Sequence, residues 1–128
     1  MGSNNQQITA SLIDVKGLSA ALAAFAAERN WDQFHSPKNL SMALTGEVGE
    51  LSEIFQWLTE EASKSAASNP DTATAVREEL ADVTLYLVRL ASVLGVDLNE
   101  AVTQKLRKNA EKYPVDKAHG THKKYDKL

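Results

Sequence analysis

Apolar residues recur at helical spacing along four stretches of the chain, and no stretch alternates with the period of two that marks a strand. Ser11 and Asp14 fit an N-terminal capping box, after which Leu12, Val15, Leu18, Leu22 and Phe25 predict a first helix to about Arg29. Gly17 weakens this helix without ending it. Asn30 to His35 reads as a connector. Ser36 then suits an N-cap, with Pro37 at the first position of a second helix that runs to about Leu58. A polar, small-residue loop, expected to be mobile, spans Thr59 to Pro70. The third helix starts near Asp71 or Thr72 and lasts to Leu94, where Gly95 is placed for a C-cap. Asp97 and Glu100 form a second capping box, opening a fourth helix that ends before Pro114. No repeat of the solenoid kind is present. The prediction is an all-α bundle. Residues 1–10 are expected to be disordered, with Met1-Gly2-Ser3 as an expression scar; 11–114 form the helical domain and 115–128 an irregular tail.

Composition narrows the class. With 128 residues the chain suits one ordinary domain, and 43% apolar against 24% charged residues argues against a disordered chain. The absence of Cys excludes disulfides, a thiolate metal site and a Cys nucleophile. A formal charge of -3 offers no basic field for nucleic acid. No apolar run approaches the roughly 18 residues of a membrane span. The expectation is a soluble cytoplasmic domain with neither nucleic acid nor membrane as partner.

Four acids break the apolar pattern. At about 100° per residue, Leu40, Leu44, Leu51, Phe55 and Leu58 share one stripe of the second helix, and Glu47 falls in its middle. Glu50, one turn on, lies at its edge beside Ala43, Ile54 and Trp57. On the third helix Val83, Tyr86, Leu90, Val93 and Leu94 mark the inward face, with Glu79 at its centre and Asp82 at its edge. Burying one ionised carboxylate without a partner costs several kcal/mol, and four together repel one another. Either a cation sits among them or some are protonated, with raised pKa values. Too few basic residues share those stripes to neutralise them. All-oxygen ligation by hard carboxylates suits Mg²⁺ or Mn²⁺, and Mg²⁺ commonly takes substrate phosphates as further ligands. A carboxylate-bridged di-iron bundle needs Glu-x-x-His pairs, and none occurs here.

Lys105 and Asn109 lie on the inward stripe of the fourth helix, with Leu98, Val102 and Tyr113. A Lys beside a triphosphate neutralises charge, and an Asn can donate or accept at a base or sugar. The plain alternative is a snorkelling Lys and a satisfied core amide. Trp31 and His35 in the connector are candidates to wall a pocket, by stacking and by hydrogen bonding. Trp57 and Tyr86 follow the acids closely and are candidates of the same kind, against the plain reading of core plugs.

The segments Gly46-Glu47-Val48-Gly49-Glu50-Leu51 and Glu79-Leu80-Ala81-Asp82-Val83 resemble the paired acidic motif of the all-α nucleoside triphosphate pyrophosphohydrolases, the MazG-like superfamily. Phe25 to His35, Phe55-Gln56-Trp57, Tyr86 to Leu90 and Lys112 to Val115 look familial too, and within the superfamily the chain resembles the dCTP pyrophosphatases. The resemblance covers roughly residues 12 to 115. It implies an oligomeric four-helix bundle, commonly a homotetramer built as a dimer of dimers. It implies hydrolysis of a nucleoside triphosphate, dCTP or a modified dCTP, to monophosphate and pyrophosphate. By position, Glu47, Glu50, Glu79 and Asp82 match the Mg²⁺ ligands that carry catalysis. Trp31, His35, Trp57 and Tyr86 match residues of the nucleoside pocket, and Lys105 and Asn109 match positions near phosphates and base. Animal members carry a His where this chain has Leu22, which bears on strict dCTP preference. The alternatives are a broad house-cleaning or dUTP-type enzyme on the same scaffold, and a non-enzymatic helical oligomerisation module stabilised by metal.

Overall fold

The computed structural model describes residues 14–128, so Ser11, Leu12 and the 1–10 segment lie outside the described residues. Every regular element among them is helical, and none of these helices is long and apolar enough to cross a membrane. They fall into two compact units, Asp14–Val96 and 97–128.

In the first unit, α1 spans Val15–Glu28. Asp14, expected inside a capping box, is itself the N-cap: its carboxylate accepts from the Gly17 N–H at 3.0 Å. Gly17 serves that cap, because a Cβ there would run into the Asp14 carboxylate. The helix leaves through a Schellman turn. Asn30 takes φ 55°, its N–H donates to Ala27 O at 3.1 Å, and the Trp31 N–H donates to Ala26 O at 2.9 Å. The connector therefore has a defined exit, followed by a 3₁₀ turn over Asp32–Phe34.

Helix α2, Pro37–Phe55, opens as predicted, with the Ser36 side chain accepting from the Asn39 N–H at 3.1 Å. It ends three residues before Leu58. The Leu58 N–H turns back to Phe55 O at 2.9 Å, and Thr59 caps a new helical turn, α3 (Glu60–Ser63), by accepting from Ala62 N–H. The segment expected to be a mobile loop is thus a run of turns. The Thr72 hydroxyl ties it to the next helix by donating to the carbonyl of buried Ala66 at 2.6 Å. That hydroxyl is then not used as a cap for α4, Ala73–Leu94. Gly95 closes α4 at φ 71°, as its sequence position predicts.

Helix α4 packs against both α1 and α2. Ala26, Leu40, Ala66, Val76, Val88 and Ala91 are the buried apolar residues. The inward face assigned to α4 needs correction at its C-terminal end, where Val93 and Leu94 are exposed and Val88 and Ala91 are buried instead. A single-stripe count assumes one neighbour per helix, and a helix flanked by more than one element buries more than one face.

In the second unit, Asp97 caps α5 (Leu98–Lys112) by accepting from the Glu100 N–H at 3.0 Å. Only half of the expected capping box forms, because the Glu100 carboxylate accepts from Gln104 at 3.1 Å. The helix stops at Tyr113, before Pro114. The tail is more regular than expected. It contains α6 (Val115–Ala118) and a 3₁₀ turn at Tyr125–Lys127. Tyr125 meets the Tyr113 ring edge-on at 6.3 Å, with the Lys112 ammonium 4.9 Å from its centroid.

Candidate functional site

Glu47 and Glu50 stand one turn apart on α2, and Glu79 stands on α4, which packs against it. One carboxylate oxygen from each lies within 4.8 Å of the other two. Glu47 and Glu79 are half-buried and Glu50 is exposed. The Glu47 and Glu79 Oε2 atoms are both shielded from solvent and have no hydrogen-bond partner. The ion pairs among the described residues, Arg29–Glu28, Lys64–Glu61 and Arg89–Asp32, all lie elsewhere.

Unpartnered buried acceptors are costly, and ionised carboxylates cannot satisfy one another. A proton is one remedy. Placed on Glu79 it creates a donor for Glu47, and this hydrogen bond is the largest cause that raises the Glu79 carboxyl from 4.5 to about 7. Burial and the charges of Glu50 and Glu47 push the same way. A cation is the other remedy. Three acceptor-only groups, two with orphaned oxygens, fit a hard divalent ion by donor chemistry and by position.

Asp82, one turn beyond Glu79, stands outside this three-carboxylate cluster. It lines a neighbouring cavity of about 160 Å³. Leu22 and Phe25 of α1, Leu40 of α2, and Leu85 and Tyr86 of α4 supply its apolar wall, with Trp31 and His35 from the connector. The Schellman turn aims Trp31, whose ring meets Phe25 edge-on at 5.7 Å and His35 at 6.4 Å. Arg89, its side chain only 11% exposed, donates from Nε to His35 Nδ1 at 3.1 Å and from Nη2 to Asp32 Oδ1 at 2.8 Å.

Of the residues singled out from sequence, the structure thus brings together Glu47, Glu50 and Glu79 in one cluster, and Trp31, His35, Asp82 and Tyr86 around one cavity. Trp57 is 88% exposed, two residues past the end of α2, and is not part of that cavity wall. Lys105 is exposed and Asn109 half-buried, one turn apart on α5. Sequence reasoning missed Arg89 and Asp32. Asp82, Tyr86 and Arg89 follow i, i+4, i+7 spacing, which puts all three on one side of α4, and that spacing was the available signal.

A model of the MazG-like family matches residues 43–128. The chain is 47% identical over 118 residues to dCTP pyrophosphatase 1 of Bos taurus, a match covering 92% of this chain and 68% of the relative. The identity to dCTP pyrophosphatase 1 of Homo sapiens is 46% over the same lengths. In three dimensions it is similar to the crystal structure of a pyrophosphatase from Archaeoglobus fulgidus. That match has a TM-score of 0.72 and 37% identity, over 80% of this chain and 94% of that one. The paired acids on adjoining helices therefore sit in a recognised sequence and structural context, and the chain belongs to the MazG-like family.

Proposed function

We propose that this protein is a nucleoside triphosphate pyrophosphohydrolase that cleaves dCTP, or a modified dCTP, to the monophosphate and pyrophosphate with Mg²⁺. The observation that carries the reading is the pair of orphaned carboxylate oxygens, on Glu47 and on Glu79, the latter one turn from an acid in the wall of a mostly apolar cavity. Likeness to proteins named dCTP pyrophosphatase supports the substrate class. An open pocket of about 160 Å³ lined by Trp31, His35 and Tyr86 offers an aromatic wall for a base.

In this reading Glu47, Glu50 and Glu79 hold the metal, and Asp82 completes the set from the adjoining cavity wall. A bound divalent ion supplies neutralisation of triphosphate oxygens and activation of water for attack at the α-phosphorus. Trp31 and Tyr86 stack on or flank the base, His35 reads its edge, and Leu22 keeps the wall apolar. Lys105, Asn109 and Trp57 take their phosphate, base and nucleoside roles in this reading from the likeness to the family. We take 11–114 as one helical domain, of the four-helix type that the resemblance implies. The assembly we propose is a homo-oligomer, a tetramer built from two dimers. Exposed Met42 and Val48 on α2, and Leu80 and Leu87 on α4, support an apolar interface.

The test is a panel of dCTP, dUTP and dATP with Mg²⁺, scored for monophosphate and pyrophosphate. The expected result is pyrophosphate release fastest with dCTP. Replacing a metal ligand, Glu47→Gln, should lower kcat/KM by more than about 100-fold, beyond the loss expected for a residue that only supports a ligand. Equal rates on all three substrates would favour the broad house-cleaning reading. A folded Glu47→Gln protein as active as the parent would defeat the proposal, and no pyrophosphate from any nucleotide would leave the oligomerisation module.

A further inference from the structure

Arg89 makes two directed contacts from one guanidinium. Asp32 and His35 stand three residues apart across the 3₁₀ turn, a spacing that eclipses side chains, so both reach the same partner on α4. The Arg89 Nη2 donates to the Asp32 carboxylate at 2.8 Å, which orients the planar group and directs Nε at the His35 ring. A guanidinium has five N–H donors and no acceptor. Its Nε can therefore meet Nδ1 of the imidazole only where Nδ1 carries a lone pair. A proton on Nδ1, in the other tautomer or in the imidazolium, would set donor against donor at 3.1 Å.

We propose that Arg89 is a positioning residue that holds His35 as the Nε2–H tautomer, so that the ring offers the occupant of the cavity one hydrogen-bond donor and no acceptor. This deepens the nucleotide reading and rests on it for the identity of the occupant. The atom that His35 recognises is then an acceptor, a carbonyl oxygen or an unprotonated ring nitrogen of the base. An amino group at that position is rejected, because it would face a second donor in a partly dry site. Asp32 acts on His35 by way of Arg89, and Arg89, which also borders the cavity, holds the imidazole through the Nε–Nδ1 bond.

Two measurements test this. In the nucleotide-free, ¹⁵N-labelled protein, the His35 ring should show a lone pair at Nδ1 and a proton at Nε2. His119 and His122 are exposed in the other unit and are separated by comparison with a His35→Gln sample. A proton found on Nδ1 overturns the proposal. The second measurement is a double-mutant cycle in dCTP hydrolysis. Arg89→Ala should raise KM about tenfold, the worth of one hydrogen bond, and change kcat less. In a His35→Ala background the same substitution should add nothing. Effects that multiply, or a loss confined to kcat, would show that Arg89 does not act through the imidazole. If Arg89→Ala does not fold, Asp32→Asn replaces it. The Asp32 side chain is 60% exposed, so this variant should fold, with a smaller rise in KM that also vanishes without His35. A wild-type protein that hydrolyses no triphosphate would defeat the functional reading alone, because the ring's proton is still read directly.

Discussion

Proton and metal compete for the same oxygens at Glu79, which makes metal affinity depend on pH in a direction and size that the structure sets. The Glu79 carboxyl rises from 4.5 to about 7, first through its hydrogen bond with Glu47, then through burial and the charges of Glu50 and Glu47. The folded state thus holds this proton more tightly than the unfolded chain does. In the metal-free protein the resulting stabilisation is fully present below pH 4.5, is lost as pH rises through about 7, and changes no further above that. A divalent ion must displace the proton. With a pKa of about 7, roughly nine-tenths of Glu79 is ionised at pH 8 and about one-tenth at pH 6, so affinity should weaken about tenfold across that interval. Calorimetric titration of the metal-free protein with Mg²⁺ or Mn²⁺ at pH 8, 7 and 6 measures this. Buffers of different ionisation enthalpy count the protons released, which should approach one per ion at pH 6. Glu79→Gln should bind more weakly and lose most of the slope. An affinity that stays constant from pH 8 to pH 6, or a slope that survives in Glu79→Gln, refutes the competition.

The aromatic wall and the packing beneath it can be tested separately. Trp31→Ala should raise KM for dCTP about 5- to 150-fold, the range of base–aromatic stacking, and spare kcat. An unchanged KM would assign the indole to packing against Phe25 alone. Leu40, 2% exposed and part of the cavity wall, should cost about 2–5 kcal/mol on replacement by Ala, read by urea unfolding. A loss under about 1 kcal/mol would mean that the cavity collapses to fill the gap.

Local signals carried most of the secondary structure. Ser36 with Pro37, Gly95, and Asp97 before the last long helix all sit where the chain needs a cap or a left-handed turn, and these requirements involve residues only a few positions apart. The same signals failed where one side chain had two uses. Thr59 ends α2 early by capping α3, Thr72 gives its hydroxyl to Ala66, and Glu100 takes Gln104 in place of its own cap.

The acids were legible for a different reason: Glu47 and Glu79 are charges placed where periodicity demands apolar groups, and that conflict is visible in one dimension. Periodicity gives each residue a face but no neighbour. Only the packing of α4 on α2 brought Glu50 and Glu79 to the same point while leaving Asp82 to the cavity. Likewise, nothing local joins Arg89 to residues 54 and 57 positions before it in the chain. Helical identity follows from interactions within a few residues, and so could be read from order alone. Which oxygens lose their water, and which guanidinium holds a histidine, depends on how the helices cross.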